Sequence, residues 1–254
     1  MTHCLKALFF CVFAGTSIAA VILRRRHQRS EYTCEHEWCG EKNNAFYDIS
    51  HALSRRENLK YKHVAYASHV INFGVVGAGV PLEIFFMRYY DNNKAISPDV
   101  PRILLMYLLS VGMVYAVTLL FKTTIPRQRP AAYFNMTNVT ELGTKNAADE
   151  WESFFSGDSS LAVHAAVFFI LFSTGIRNSW RWVGSVLFSC LALAGLSLRV
   201  IALMHWSSDV LMGAAVGLMV AASARACFPF PPPLYNDNSK KGYVSFDVRF
   251  NSVL

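Results

Sequence analysis

Residues 101–130, "PRILLMYLLSVGMVYAVTLLFKTTIPRQRP", run apolar as far as Phe121 and then break into Lys122, Arg127 and Arg129. A helix needs about 20 apolar residues to cross the hydrocarbon core of a bilayer, and the run over 101–121 is that long. It predicts a membrane-crossing helix with a cationic end. Working outward, five further runs of the same kind lie at 5–23, 64–90, 160–177, 181–198 and 208–228. Composition agrees, because 53% of the residues are hydrophobic and only 16% charged, too little charge for a soluble domain of this length. The predicted fold is all-α, a six-span transmembrane helical bundle. The run at 64–90 holds Gly74, Gly77, Gly79 and Pro81, which a span tolerates where neighbouring helices satisfy the backbone, and its length predicts tilt or a kink. Three regions follow: 1–63, an N-terminal span and polar loop; 64–228, the bundle proper; and 229–254, an irregular tail that opens "PFPPPLYND" and cannot continue a helix.

Polar stretches interrupt the bundle in a pattern. "KTTIPRQRP" closes the third run, "SGDSS" opens the fourth, and "RVIALMHWSSD" joins the fifth to the sixth. Counting spans puts all three on one side of the membrane. Lys122, Arg127, Arg129, Asp158, Arg199, His205 and Asp209 are thereby expected at one face, and charges gathered at a membrane face signal a functional site. Each has a plainer reading. Basic residues beside a span can simply anchor it among headgroups, Asp158 can cap a helix N-terminus, His205 can be a satisfied interfacial histidine, and Asp209 can cap the sixth helix.

Spacing shifts the balance. His205 and Asp209 are four apart and share a helical face if the sixth helix begins at His205, which sets a carboxylate beside an imidazole. A carboxylate accepting from one ring nitrogen leaves the other as base or nucleophile. Lys122, Arg129 and Arg199 supply the charge-assisted donors that a phosphoryl group requires, and Ser156 and Gly157 at a helix start add donors suited to an anion.

The chain resembles the type 2 phosphatidic acid phosphatase and vanadium haloperoxidase superfamily on three motifs. K-x6-R-P is matched by Lys122, Arg129 and Pro130; P-S-G-H by Ser156 and Gly157; and S-R-x5-H-x3-D by Arg199, His205 and Asp209. The resemblance covers roughly 64–228. It implies a phosphoric ester hydrolase with no cofactor and no metal, in which His205 attacks phosphorus to form a phosphohistidine and Asp209 orients it. Lys122, Arg129, Arg199, Ser156 and the Gly157 amide would bind the phosphoryl oxygens. Membrane members of the superfamily have six spans and act on lipid phosphates from the lumenal or extracellular face. The implied partners are a lipid phosphate substrate and membrane lipids.

Departures from the motifs are Phe155 for proline, Leu198 for serine and Asp158 for the histidine that protonates the leaving alkoxide. An ordinary aspartate is ionised at neutral pH, and neighbouring cations keep it so. Asp158 in the acid's position requires burial to raise its pKa, and His164 lies six residues deeper on another face of the helix. Three readings stay open: a lipid phosphatase, a lipid phosphotransferase, and a lipid-phosphate binder without catalysis. The apolar runs argue against a soluble haloperoxidase.

Asn135 and Asn138 begin glycosylation sequons in the loop beside the site, which favours a lumenal or extracellular active site in an endomembrane or plasma membrane protein. "RRRHQR" at 24–29 opposes that orientation unless residues 1–23 are a cleaved signal segment. Cys34 and Cys39 could close a short disulfide or, with His36, part of a metal site, or be plain loop residues. The net charge of +7 suits an anionic membrane surface, and no nucleic-acid partner is expected.

Overall fold

The computed structural model describes residues 14–15, 18–19, 45–54, 61–91, 99–134, 150–173 and 180–228. Most of the first apolar run, the basic stretch 24–29, both sequons, Cys34, His36, Cys39 and the tail lie outside these residues. The described residues are mostly helical. Among them no strand occurs, only an isolated parallel bridge between Arg127 and Glu152.

Among the described residues the helices are α1 (Ala45–Ser54), α2 (Tyr61–His69), a π-helical stretch (Val70–Gly77), α3 (Ala78–Asp91), α4 (Asp99–Thr124), the single turn α5 (Pro130–Tyr133), α6 (Gly157–Phe172), α7 (Trp180–Ile201) and α8 (Ser207–Cys227). Among the described residues, four continuous stretches are long and apolar enough to cross a membrane: Tyr61–Phe86, Val100–Thr124, Trp180–Ile201 and Ser207–Cys227. The fifth, α6, is apolar but has 16 residues. Five of the six apolar runs in the sequence thus fall on described helices. The 64–90 run, whose length predicts tilt or a kink, contains a π-helical stretch that carries Gly74 and Gly77, while Pro81 lies inside α3.

The short helix α6 is the centre of the bundle, with Leu161, Ala162, Ala165, Ala166, Phe168, Phe169 and Phe172 all buried. A helix that is apolar all round belongs inside, and α8, α7, α4 and the π-helical stretch surround it. Phe168 stacks on Phe172 at 4.0 Å between ring centroids. The approach of α8 is set by Gly213 and Gly217. A Cβ on Gly213 would overlap the Ser156 carbonyl oxygen, and one on Gly217 the Ser160 carbonyl oxygen. This small-xxx-small spacing lets two backbones touch, and it fixes the start of α6 against the start of α8.

The outer surface is apolar. Leu105, Leu108 and Tyr115 on α4, Val186 and Leu193 on α7, and Leu211 and Leu218 on α8 all point outward. Water solvates a surface of this kind poorly; hydrocarbon solvates it well.

Candidate active site

Four chain segments meet at one end of the bundle: the end of α4 with the loop to α5, the segment before α6, the end of α7, and the turn into α8. The side chains that counting spans placed on one side do come together there. Backbone bonds hold the first two segments side by side: Arg127 N–H donates to Trp151 O at 2.8 Å, Ser153 N–H to Arg127 O at 3.0 Å, and Arg129 N–H to Glu150 O at 2.8 Å. The turn after α7 is pinned to the same loop. Ala131 N–H donates to Leu203 O at 3.1 Å, Arg129 Nη1 to Met204 O at 3.3 Å, and the Trp206 indole N–H to Gln128 O at 2.8 Å. Leu203 sits in the left-handed region with φ of 55°, a conformation that costs a branched residue about 1–2 kcal/mol and turns the chain sharply before His205.

That turn corrects one expectation. Helix α8 begins at Ser207 with Trp206 as its N-cap, so His205 precedes the helix and does not share a helical face with Asp209. The His205 Nδ1 to Asp209 Oδ2 distance is 3.9 Å, too long for a hydrogen bond. The carboxylate is committed elsewhere. Asp209 is the third residue of α8 and accepts the Trp206 backbone N–H at 3.0 Å, the Ser153 hydroxyl at 2.5 Å, and Arg127 Nη1 in a buried ion pair. His205 Nδ1 instead meets the Ser153 carbonyl oxygen at 2.7 Å. A carbonyl only accepts, so the ring proton is on Nδ1 and Nε2 carries the lone pair. Ser153 therefore links the two: its hydroxyl binds Asp209 and its carbonyl orients His205.

His205 is 1% exposed. Burial holds its pKa well below the usual histidine value, and the positive charges of Arg129, Arg199 and Lys122 push the same way, against the Ser153 hydrogen bond. The imidazole is neutral at physiological pH, the form in which Nε2 is a nucleophile. Arg127, Arg129 and Arg199 are buried as well. Lys122, in the last turn of α4, is close enough to Arg129, Glu152, Asp158 and Arg199 to feel their charges. Three cationic side chains, Lys122, Arg129 and Arg199, thus act on one neutral histidine, and the arrangement can hold and polarise a tetrahedral dianion.

Ser156 is the N-cap of α6, accepting from Ser159 N–H at 3.4 Å, while its hydroxyl lies 2.8 Å from that of Ser159. The capping role open to Asp158 from sequence belongs to Ser156. Gly157 opens the helix against α4, where a Cβ would come within 2.8 Å of Thr118 Cγ2. Asp158, in the first turn, is paired with Arg199 Nη2 at 2.6 Å, and its Oδ2 also lies 3.4 Å from His69 Nδ1. His164 is deep in the bundle, with Nε2 2.8 Å from the Ser110 hydroxyl. Phe155, where the motif has proline, is fully buried and packs its ring against Phe121 at 5.4 Å.

Sequence reasoning named Arg127 only as part of a basic cluster and missed Ser153, Ser68 and His69. Serine is too common in polar loops for spacing to single out Ser153, and His69 lies 89 residues from Asp158.

Comparison with curated proteins and with solved structures gives no match. Comparison with family models gives the PAP2 superfamily over residues 103–231, half of the chain and the part that contains Lys122, Arg129, Ser156, Gly157, Asp158, Arg199, His205 and Asp209. Those eight residues line the site just described, and the chain belongs to the type 2 phosphatidic acid phosphatase (PAP2) superfamily.

Proposed function

We propose that the protein is an integral membrane phosphatase that removes the terminal phosphate of a lipid phosphate or diphosphate through a phosphohistidine on His205. Superfamily membership supports phosphatase-type activity on phosphate esters. The observation that carries the finer reading is the state of His205: buried, neutral, with Nδ1–H held by the Ser153 carbonyl and Nε2 unprotonated. In the mechanism, Nε2 attacks phosphorus. Lys122, Arg129 and Arg199, with the Ser156 hydroxyl and the Gly157 amide, bind the equatorial oxygens and meet the charge that develops there. Asp209 keeps Ser153 and Arg127 in place behind the nucleophile. A lipid substrate is supported by the outward apolar faces of α4, α7 and α8, which let an acyl or prenyl chain stay in hydrocarbon while its phosphate reaches the helix ends. Asn135 and Asn138 support a lumenal or extracellular site in an endomembrane or plasma membrane protein.

The test is a phosphoenzyme trap. Detergent-solubilised protein mixed with a 32P-labelled lipid phosphate and quenched in base should carry label that is lost in acid, as a phosphoramidate is. His205→Ala should carry none and should release no phosphate while still residing in the membrane. Release should survive EDTA, because side-chain cations meet the phosphoryl charge; activity that disappears with the chelator and returns with magnesium contradicts this mechanism. The Asp158–Arg199 pair favours a second reading, a binder of lipid phosphates without turnover. Tight binding by wild-type protein with no phosphate released would select it.

A further inference from the structure

Asp158 stands where the superfamily motif has its proton-donating histidine, yet a carboxylate held 2.6 Å from a guanidinium is an acceptor and not a donor. The second contact of that carboxylate is an imidazole from a different helix. His69 is the last residue of α2, and its Nδ1 lies 3.4 Å from Asp158 Oδ2. Arg199 builds this junction: Nη2 pairs with Asp158, while Nη1 donates at 3.2 Å to the buried hydroxyl of Ser68, the residue before His69. One arginine of the phosphate site thus fixes the end of α2 against the start of α6. The His69 ring rests on Phe73 at 4.5 Å between centroids, and its side chain is 56% exposed where His205 is sealed. Nucleophiles are best dry; a group that must trade protons with water is best at the rim.

Resting on the phosphatase reading above, we propose that His69 is the general acid and base of this site and that Asp158 is its positioning residue. The histidine missing from the motif is supplied by α2, and Asp158 accepts Nδ1–H so that Nε2 transfers the proton. In the first step His205 Nε2 forms a bond to phosphorus, the bond from phosphorus to the ester oxygen breaks, and that oxygen takes the proton from His69 Nε2. In the second step a water oxygen bonds to phosphorus, the N–P bond breaks with its electron pair returning to His205, and the water proton goes to His69. Ester and water become alcohol and phosphate, and both histidines return to their starting states. The charged groups facing His69 are Asp158 from α6, Arg199 from α7 and, across Asp158, Lys122 from α4.

The experiment compares wild type, His69→Ala and the double variant His69→Ala/Asp158→His, all as full-length protein in detergent. Two substrates are used: dioctanoyl phosphatidate, whose alkoxide needs a proton to leave, and p-nitrophenyl phosphate, whose phenolate does not. His69→Ala should lower phosphatidate hydrolysis by about 10²–10⁴-fold. Its first turnover of p-nitrophenyl phosphate should appear as a burst near one equivalent per site, within about tenfold of the wild-type rate, because only the second step still needs a base. The wild-type fall in phosphatidate rate as pH rises through neutrality should vanish in His69→Ala, and histidine at 158 should restore it along with much of the rate. Equal losses on both substrates, or an unchanged rate and pH profile in His69→Ala, overturn the proposal while leaving the phosphatase reading intact. A wild type inert on both substrates, with no phosphoenzyme, removes both.

Discussion

At the scale of single residues, the site is organised by what Asp209 does for others. Its carboxylate takes hydrogen bonds from Ser153, from the Trp206 backbone and from Arg127, and all of these are buried. Removing one member of such a pair strands the other charge, which typically costs about 3–5 kcal/mol. Asp209→Asn should therefore lower the thermal midpoint as well as activity. Asp209→Leu combined with Arg127→Met should regain much of the stability and none of the turnover, since apolar replacement of a whole buried pair is tolerated. His205 yields a prediction for acid. Its folded-state pKa is depressed, whereas the unfolded chain takes up the proton near the ordinary value of about 6.5. Below that pH the unfolded state binds the extra proton, so stability falls as pH falls, with a slope approaching about 1.4 kcal/mol per pH unit; above it the term vanishes. The midpoint of wild type should drop more steeply from pH 7 to pH 5 than that of His205→Gln. Parallel curves would show that His205 is not sealed as described. The motif spacings singled out Lys122, Arg129, Arg199, His205 and Asp209 as candidates, and the fold brings them to one end of the bundle. They did not identify Ser153, because what matters there is a main-chain carbonyl, and every residue has one.

At the scale of elements, the decisive contact is the crossing of α6 and α8. Gly213 and Gly217 bring the α8 backbone onto the carbonyls of Ser156 and Ser160, which places the N-cap of α6 beside the turn that carries His205. The Ser156 N–H then donates to Asp209 O at 3.1 Å, so the two helix starts share a backbone bond. Gly213→Ala forces a methyl group into the Ser156 carbonyl. The expected cost is about 1–3 kcal/mol of stability, as for other overpacked interiors. Because the displaced atoms belong to the proposed phosphate pocket, activity should fall more than stability does. Ala214→Gly, one position along the same helix, serves as the control, and equal behaviour of the two variants would argue against a backbone crossing. Helix content was legible because apolar runs of this length have few alternatives. The start of α8 was not: it depends on the left-handed Leu203 and on bonds to residues 128–131, and no periodicity encodes either.

At the scale of the whole molecule, five of the six apolar runs lie on described helices, but the bundle is not an even ring of equal helices. The 16 residues of α6 occupy the centre, and the longer stretches, apolar on their outer faces, surround it. Hydropathy marks both kinds of helix alike, which is why the sequence predicted spans without predicting which of them is innermost. The bonds between Arg127–Arg129 and Glu150–Ser153 carry a consequence beyond the chemistry. They clasp the two ends of the segment that runs from residue 135 to residue 149, so the candidate site residues on either side are located by the clasp and not by the length of chain between. Closing a longer loop costs only about 0.6 kcal/mol for each doubling of its length. A small folded domain spliced between residues 141 and 145 should leave phosphate release within about threefold of wild type on that basis. Cutting the chain at the same place should give two fragments that reassemble into working protein when expressed together. The clasp would then be a docking seam, and the protein a natural candidate for a split reporter read out at a membrane surface.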